Sequence, residues 1–113
     1  MTAGQLSSEL GQFIGTTQYH RHWLGGMYTD GVAYLAEKAC AYWLLDAVFS
    51  YHRTEPFQVW RLVKNEDGGA VLTMQEDSGE PELVRQEIEF TDFPMDEITL
   101  WCVDGVLILP SEY

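Results

Sequence analysis

The stretch TDGVAYLAEKACAYWLLDAVFSYHR, residues 29–53, decides how this chain folds. Thr29 or Asp30 is a good N-cap, because its side-chain oxygen accepts from the unpaired N–H groups of a helix's first turn. From Val32 to about Tyr51, neither proline nor glycine interrupts a run rich in helix-forming residues. The pattern predicts one long helix that is apolar on nearly every face, so most of its circumference needs to be covered.

Segments typical of β-strands follow this helix and supply that cover. They are residues 57–64, 70–76, 83–90, 98–103 and 106–109. The Asp104-Gly105 pair between the last two is a strong signal for a two-residue hairpin turn. Because consecutive strands joined by short turns favour antiparallel pairing, we predict an α+β fold in which one long central helix packs against an antiparallel meander of four to five strands.

The segments before the long helix are weaker in pattern. Residues 3–13 place Leu6, Leu10 and Phe13 on one narrow stripe, which predicts a short N-terminal helix. Residues 19–23 alternate in character, which predicts a short extended segment that ends before Gly25-Gly26. We expect a single domain over residues 1–113 and leave open whether residues 1–12 are peripheral to it.

Two observations bear on location. The most apolar stretch, Ala39–Tyr51, is shorter than the roughly 20 residues that span a bilayer and contains Asp46. Met1–Leu10 lacks the pattern of a signal peptide, so we expect a cytoplasmic protein. Cys40 and Cys102 each fall in an apolar segment, outside any CxxC, and we expect two buried, reduced thiols.

Charge is distributed very unevenly along the chain. Its formal net charge is −12, from 18 acidic and six basic residues. Residues 1–64 hold five of each sign, whereas residues 65–113 hold thirteen acidic residues and a single base, Arg85. Direct binding to phosphates needs clustered lysine and arginine, so the sequence argues against a nucleic-acid-binding protein. The whole net negative charge therefore lies in residues 65–113.

Three stretches resemble a known family. They are YTDGVAYLAEKACAYWLLD (residues 28–46), FQVWRL (residues 57–62) and FTDFPMDEITLWCVDGVLILPSEY (residues 90–113). Together they are similar to small bacterial proteins of unknown function that are associated with plasmids and other mobile elements, and the likeness runs from about Phe13 to Tyr113. The resemblance implies one compact domain, and it carries no activity and no functional residues with it.

The histidines His20 and His22 are the best metal-ligand candidates. Residues two apart on a strand point to the same face, so two imidazoles could converge on one ion. Spacing does not place a third ligand, for which His52, Asp30 and Glu37 remain open. Without a metal, His20 and His22 would be a pair of partly exposed polar residues. A metal-binding protein or metal-dependent enzyme that uses them is the alternative function.

Other catalytic patterns give little support to an enzyme. Asp46, inside the apolar helix, has the surroundings of a general base, but a hydrogen-bonded half-buried carboxylate explains it more simply. The sequence contains no GxSxG, neither cysteine has a histidine near it in sequence, and no phosphate-binding loop is present. We predict no cofactor.

The acidic residues of the second half form the remaining candidate site. Strand alternation places them in turns and on the outward face of the meander, where they either keep the protein soluble or attract a basic protein. The leading hypothesis is a small non-enzymatic interaction protein for a basic or identical partner, in the sharpest version an inhibitor from a mobile element that imitates phosphates. The predicted partner-binding residues are Glu76, Asp77, Glu80, Glu82, Glu87, Glu89, Trp60 and Trp101.

Overall fold

The computed structural model describes residues 2–12, 18–77 and 79–113, and within these ranges it contains three short helices and seven strands. The helices are α1 (Ala3–Leu10), α2 (Asp30–Lys38) and α3 (Tyr42–Ser50). The strands are β1 (Tyr19–Arg21), β2 (Met27–Thr29), β3 (Phe57–Lys64), β4 (Ala70–Gln75), β5 (Glu82–Ile88), β6 (Glu97–Val103) and β7 (Val106–Ile108). A 3₁₀ turn, Pro110–Glu112, follows β7.

The prediction of one long central helix is wrong, because the chain breaks between α2 and α3. Cys40 adopts a left-handed conformation with a φ of 52°. The N–H of Ala41 donates to the carbonyl of Ala36, and the N–H of Cys40 donates to that of Glu37. This is the pair of bonds that ends a helix in a Schellman motif. Glycine usually occupies the left-handed position, so a cysteine there gives no signal in the sequence.

Two of the helices, α1 and α2, begin at a threonine that acts as N-cap. Of the two predicted candidates, Thr29 is the N-cap of α2: its hydroxyl accepts from the N–H of Val32 at 3.3 Å and donates to Glu112 at 2.6 Å. The predicted short N-terminal helix is present as α1, which is capped by Thr2. Leu6 and Leu10 of α1 belong to the hydrophobic core. Residues 13–17, the end of that predicted segment, lie outside the described residues.

The antiparallel meander of four to five strands is also wrong. The order across the seven-stranded sheet is β1-β2-β7-β6-β3-β4-β5, so β6 pairs with β3 instead of β5. The sequence of β3 explains this order, since Val59 and Trp60 point to opposite faces and are both buried. A strand that is apolar on both faces belongs in the centre of a sheet. A strand with Glu82, Arg85 and Glu87 belongs at an edge.

Two strands before α2 make the sheet mixed. β1 and β2 form an antiparallel hairpin, and β2 then pairs in parallel with β7, with Met27 opposite Val106 and Tyr28 opposite Leu107. The β6–β7 hairpin has the predicted Asp104-Gly105 turn, in which both residues have positive φ, 50° and 84°. Only β2, three residues long, was missed entirely by sequence reasoning, because its length gives no clear alternation.

The sheet has two unlike faces. The inner face contributes Trp60, Leu62, Leu72, Met74 and Leu100 to the core that α2 and α3 complete. The outer face carries the alternate residues of the same strands. These include Val59, Arg61, Gln75, Thr99 and Trp101.

Three further observations concern exposure. Cys102 is buried as predicted, but Cys40 is exposed, which corrects the expectation of two buried thiols. Phe90, the last residue of the strand predicted over residues 83–90, has 76% of its surface exposed because it lies just beyond the end of β5. Among the described residues, the structure has no helix whose length and apolar character would allow it to cross a membrane.

Candidate functional site

The two tryptophans predicted to contact a partner lie on opposite faces of the sheet. Trp60 is only 1% exposed, and its indole N–H donates to the side-chain carbonyl of Gln58 at 2.8 Å. The prediction that it is an exposed partner-binding residue is therefore wrong. Trp101 is half-buried on the outer face, opposite Val59 of β3, and part of its ring system is open to solvent. Of the two, only Trp101 is available to a partner.

Trp101 belongs to an aromatic cluster on the outer face. Its ring centroid lies 5.5 Å from that of Phe57 and 5.4 Å from that of Tyr113, with the rings tilted or edge-on. Tyr113 follows the 3₁₀ turn, which brings it back over the sheet, and 75% of its surface is exposed. Aromatic side chains that hold each other in place form a rigid surface, because little conformational entropy remains to be lost on binding.

A groove of about 400 Å³ runs beside Trp101 on the outer face. It is lined by residues of β3, β4 and β6, including Val59, Gln75 and Thr99, and by Arg61, a charged residue that pairs with Glu97 at 2.5 Å. Pro110 lines it, and so does Gly79 in the turn between β4 and β5. The groove therefore connects the aromatic cluster to the most acidic turn of the chain.

The six acidic residues predicted to bind a partner are all exposed. Four lie in or beside the β4–β5 turn, and two lie at the far end of β5. The predicted outward orientation of Glu87 and Glu89 is confirmed by their exposure. Arg85, the one base of this half, is held by Glu82 at 3.2 Å. The residues of this group, which we call the acidic rim, are Glu76, Asp77, Glu80, Glu82, Glu87 and Glu89.

A second acidic feature lies at the end of β5. A cleft of about 300 Å³ is lined by the side chains of Asp67, Glu87 and Glu89 together with Asn65. Asp67 accepts from the N–H of Gly69 at 3.0 Å, which fixes its carboxylate in the β3–β4 turn. The three carboxylates give this cleft a negative potential that favours an ammonium or guanidinium group.

The two histidines predicted as metal ligands each bind a different carboxylate. His20 Nε2 lies 2.8 Å from Asp30, and His22 Nε2 lies 2.8 Å from Asp46. The N–H of Leu24 donates to His22 Nδ1 at 3.1 Å, so Nδ1 is an acceptor. The hydrogen of the ring is therefore on Nε2, which donates a hydrogen bond to Asp46. Both ring nitrogens of His22 are therefore occupied by protein groups.

Metal binding also lacks a ligand set. Among residues 2–12, 18–77 and 79–113, no group of three or more histidine, cysteine, aspartate or glutamate side chains is arranged to hold an ion. Tyr28 lies between the two histidines, with its ring stacked 5.3 Å from that of His20. Burial and the nearby Tyr42 raise the pKa of Tyr28 above its ordinary value, which keeps its hydroxyl protonated. This histidine cluster is therefore a packed polar network at the β1 edge.

The surroundings of Asp46 are those of a hydrogen-bonded carboxylate. Its carboxylate accepts from His22 and from the indole N–H of Trp23, the latter at 3.1 Å, and 48% of its side chain is exposed. It is thus a hydrogen-bonded, half-exposed residue, as the simpler interpretation predicted. Sequence reasoning missed its two partners because they come from a turn more than twenty positions away, and spacing gives no signal for such pairs.

A family profile matches residues 4–113, which is nearly the whole chain. The chain belongs to DUF6876, a family of unknown function. Neither a curated protein nor a solved structure matches it. Membership in DUF6876 agrees with the resemblance to an uncharacterised family, and it assigns no activity to the acidic rim or to the groove beside Trp101.

Proposed function

We propose that this protein is a non-enzymatic interaction protein that binds a basic protein through the outer face of its sheet. The observation that carries the proposal is the groove beside Trp101, which this ring of the aromatic cluster lines on one side and Gly79 of the acidic β4–β5 turn lines on the other. An aromatic anchor surrounded by charged residues is typical of protein interfaces, in which a few central side chains supply most of the binding free energy.

The charge of the chain supports a basic partner. All of the net charge of −12 comes from residues 65–113, which form β4, β5, β6 and β7 and the turns between them. Acidic residues concentrated in this way destabilise the fold by mutual repulsion, and they raise the rate at which a positively charged protein associates. Self-association through the acidic rim is disfavoured by the same repulsion.

We further propose that the partner is a nucleic-acid-binding protein whose phosphate site the acidic rim would occupy. In this version the protein acts as an inhibitor of that partner. If the chain comes from a mobile element, it would inhibit a nucleic-acid-binding protein of the host. Cytoplasmic residence belongs to the same proposal and is supported by two free thiols, of which Cys40 is exposed. The alternative, a metal-dependent protein using His20 and His22, has less support because these side chains bind separate carboxylates.

Affinity capture with matched variants tests the proposal. The wild-type protein is immobilised and exposed to a bacterial lysate, alongside Trp101→Ala and Tyr42→Ala. Tyr42 is an exposed aromatic residue of α3 on the helical side, so its variant controls for loss of a surface ring. We expect a basic protein to be retained by the wild type and by Tyr42→Ala but not by Trp101→Ala.

Salt and nucleic acid then test the nature of the contact. Retention should fall strongly when salt rises from low concentration to about 1 M, where the screening length is roughly 3 Å. A nucleic-acid fragment added in excess should release a partner held by phosphate imitation. Retention that ignores both Trp101→Ala and salt contradicts the proposed interface, and retention that ignores nucleic acid contradicts only the inhibitor version.

A further inference from the structure

The free edge of β5 is the longest unpaired strand edge in the described part of the chain. β5 closes one end of the sheet and pairs only with β4, whereas the opposite end is β1, which has three residues. From Val84 to Ile88 its register with β4 is regular, and the register shifts only between Met74 and Gln75. The backbone N–H and C=O groups along the outer edge of such a strand are available for another strand.

The two faces of β5 differ in character. The inner side carries the buried Val84, then Gln86, which accepts from the hydroxyl of Tyr51 at 2.8 Å, and then Ile88, which is partly buried against the core. On the outer side lie Leu83, which is 40% exposed, Arg85, which Glu82 holds, and the exposed Glu87. Glu89 follows directly beyond the strand and is also exposed. A strand added at this edge would therefore meet Val84 and Ile88 on one face, and on the other face the carboxylates of Glu87 and Glu89 where β5 ends.

We propose that a basic, extended segment of the partner adds to β5 as an eighth strand, with basic and apolar residues in alternation. This inference rests on the proposed function and specifies the partner's chemistry. Main-chain hydrogen bonds to the edge would supply affinity, and side-chain alternation would supply specificity. A lysine or arginine of the segment would enter the cleft lined by Asp67, Glu87 and Glu89.

A second copy of this chain is a poor occupant of the same edge. A second copy would bring another strand that carries Glu82, Glu87 and the following Glu89 against one base, Arg85, which Glu82 already holds, so like charges would predominate across the pair. Acidic side chains on an edge strand therefore act against self-pairing. The same side chains favour a segment of opposite charge. The charge of β5 therefore favours a basic segment over a second copy of this chain.

A pair of synthetic peptides tests the inference. One peptide, as long as β5, alternates lysine and valine, and the other has the same composition with the lysines and valines in two blocks. We expect the alternating peptide to bind about tenfold more tightly, which corresponds to a few cross-strand pairs. Hydrogen exchange with the alternating peptide bound should slow at the amides of β5.

Charge variants control for general attraction to an acidic protein. Glu87→Lys should weaken the alternating peptide markedly, whereas Glu37→Lys, the same charge change on an exposed position of α2, should weaken it only slightly. Equal affinity for both peptides, or slowed exchange elsewhere than β5, overturns the inference. The Trp101→Ala capture experiment judges the proposed function separately, because β3 and β4 lie between β6 and β5.

Discussion

Trp60 and Trp101 lie on neighbouring strands of one sheet and have opposite surroundings. In the β3–β6 register, Trp60 is opposite Leu100, and Val59 is opposite Trp101, so the two rings are offset by one residue. A shift of one residue along a strand moves a side chain to the other face. Trp60 thus lies beneath the helices, with its indole 5.9 Å from the ring of Tyr51, and Trp101 lies in the open groove.

The inner face of the sheet stabilises the fold, whereas the outer face is the one that we propose for binding. The inner face is covered by α2 and α3, so its side chains are held by packing and by internal hydrogen bonds. On the outer face the 3₁₀ turn Pro110–Glu112 lies beside the groove, and the rings of Phe57, Trp101 and Tyr113 pack on one another. We therefore expect substitutions on the inner face to unfold the protein and substitutions on the outer face to leave it folded.

The largest expected effect is on Trp60. Trp60→Ala should lower the free energy of unfolding by about 3–5 kcal/mol, because it leaves a cavity in the core and an unmatched acceptor on Gln58. Trp101→Ala, measured beside it by urea denaturation, should cost much less because its ring is only half-buried. Equal losses for the two variants would contradict the division between the faces.

The next largest effect concerns the hydrogen bond between Trp60 and Gln58 on the inner face. Gln58→Ala should cost about 1–3 kcal/mol, because the buried indole N–H of Trp60 then has no acceptor. Gln75→Ala on the outer face is the matched control: its side chain donates to the carbonyl of Glu80 in an exposed position, so we expect a small change. Chemical denaturation of both variants measures the contrast, and a costly Gln75→Ala would break it.

A pH effect follows from the inner face of β6. Burial raises the pKa of the Cys102 thiol from 9.0 to about 11. The folded state therefore holds this proton more tightly than the unfolded state, so the resulting stabilisation is complete below pH 9 and is lost as pH rises toward 11. Unfolding midpoints across this range should fall more steeply for the wild type and Cys40→Ser than for Cys102→Ala. A slope unchanged by Cys102→Ala would contradict the buried position of this thiol.

The smallest expected effect lies in the break between α2 and α3. Cys40→Gly should be neutral or stabilising by at most about 1 kcal/mol, because glycine adopts the left-handed conformation without strain. Ala39→Gly, one position earlier with a φ of −92°, should destabilise the protein because that conformation favours alanine. Thermal unfolding of the two variants gives the sign, and a destabilising Cys40→Gly would argue for an unbroken helix.

Local features of this fold were predictable, and long-range pairings were not. The N-cap at Thr29, the strand at residues 57–64 and the Asp104-Gly105 turn each depend on a few adjacent residues, and all three were predicted. The break at Cys40 was missed because no glycine or proline marks it. The β3–β6 pairing was missed because sequential strands were assumed to be neighbours.

The candidate site shows the same limit. Exposure of the acidic residues follows from alternation and turns, so it was predictable. The opposite exposure of Trp60 and Trp101 depends on which side of each strand the helices cover, and β3 is apolar on both sides. The carboxylate partners of His20 and His22 come from α2 and α3, at separations that no motif encodes.

The parallel pairing of β2 with β7 has a consequence for the order in which the protein forms during synthesis. The β1–β2 hairpin is translated well before its neighbour in the described sheet, β7, which follows all the other strands of that sheet. Loop-closure entropy must be overcome before so distant a contact forms, which slows folding. A ribosome-bound chain that still lacks β7 would therefore carry an undocked hairpin, and the emergence of β7 would complete the sheet.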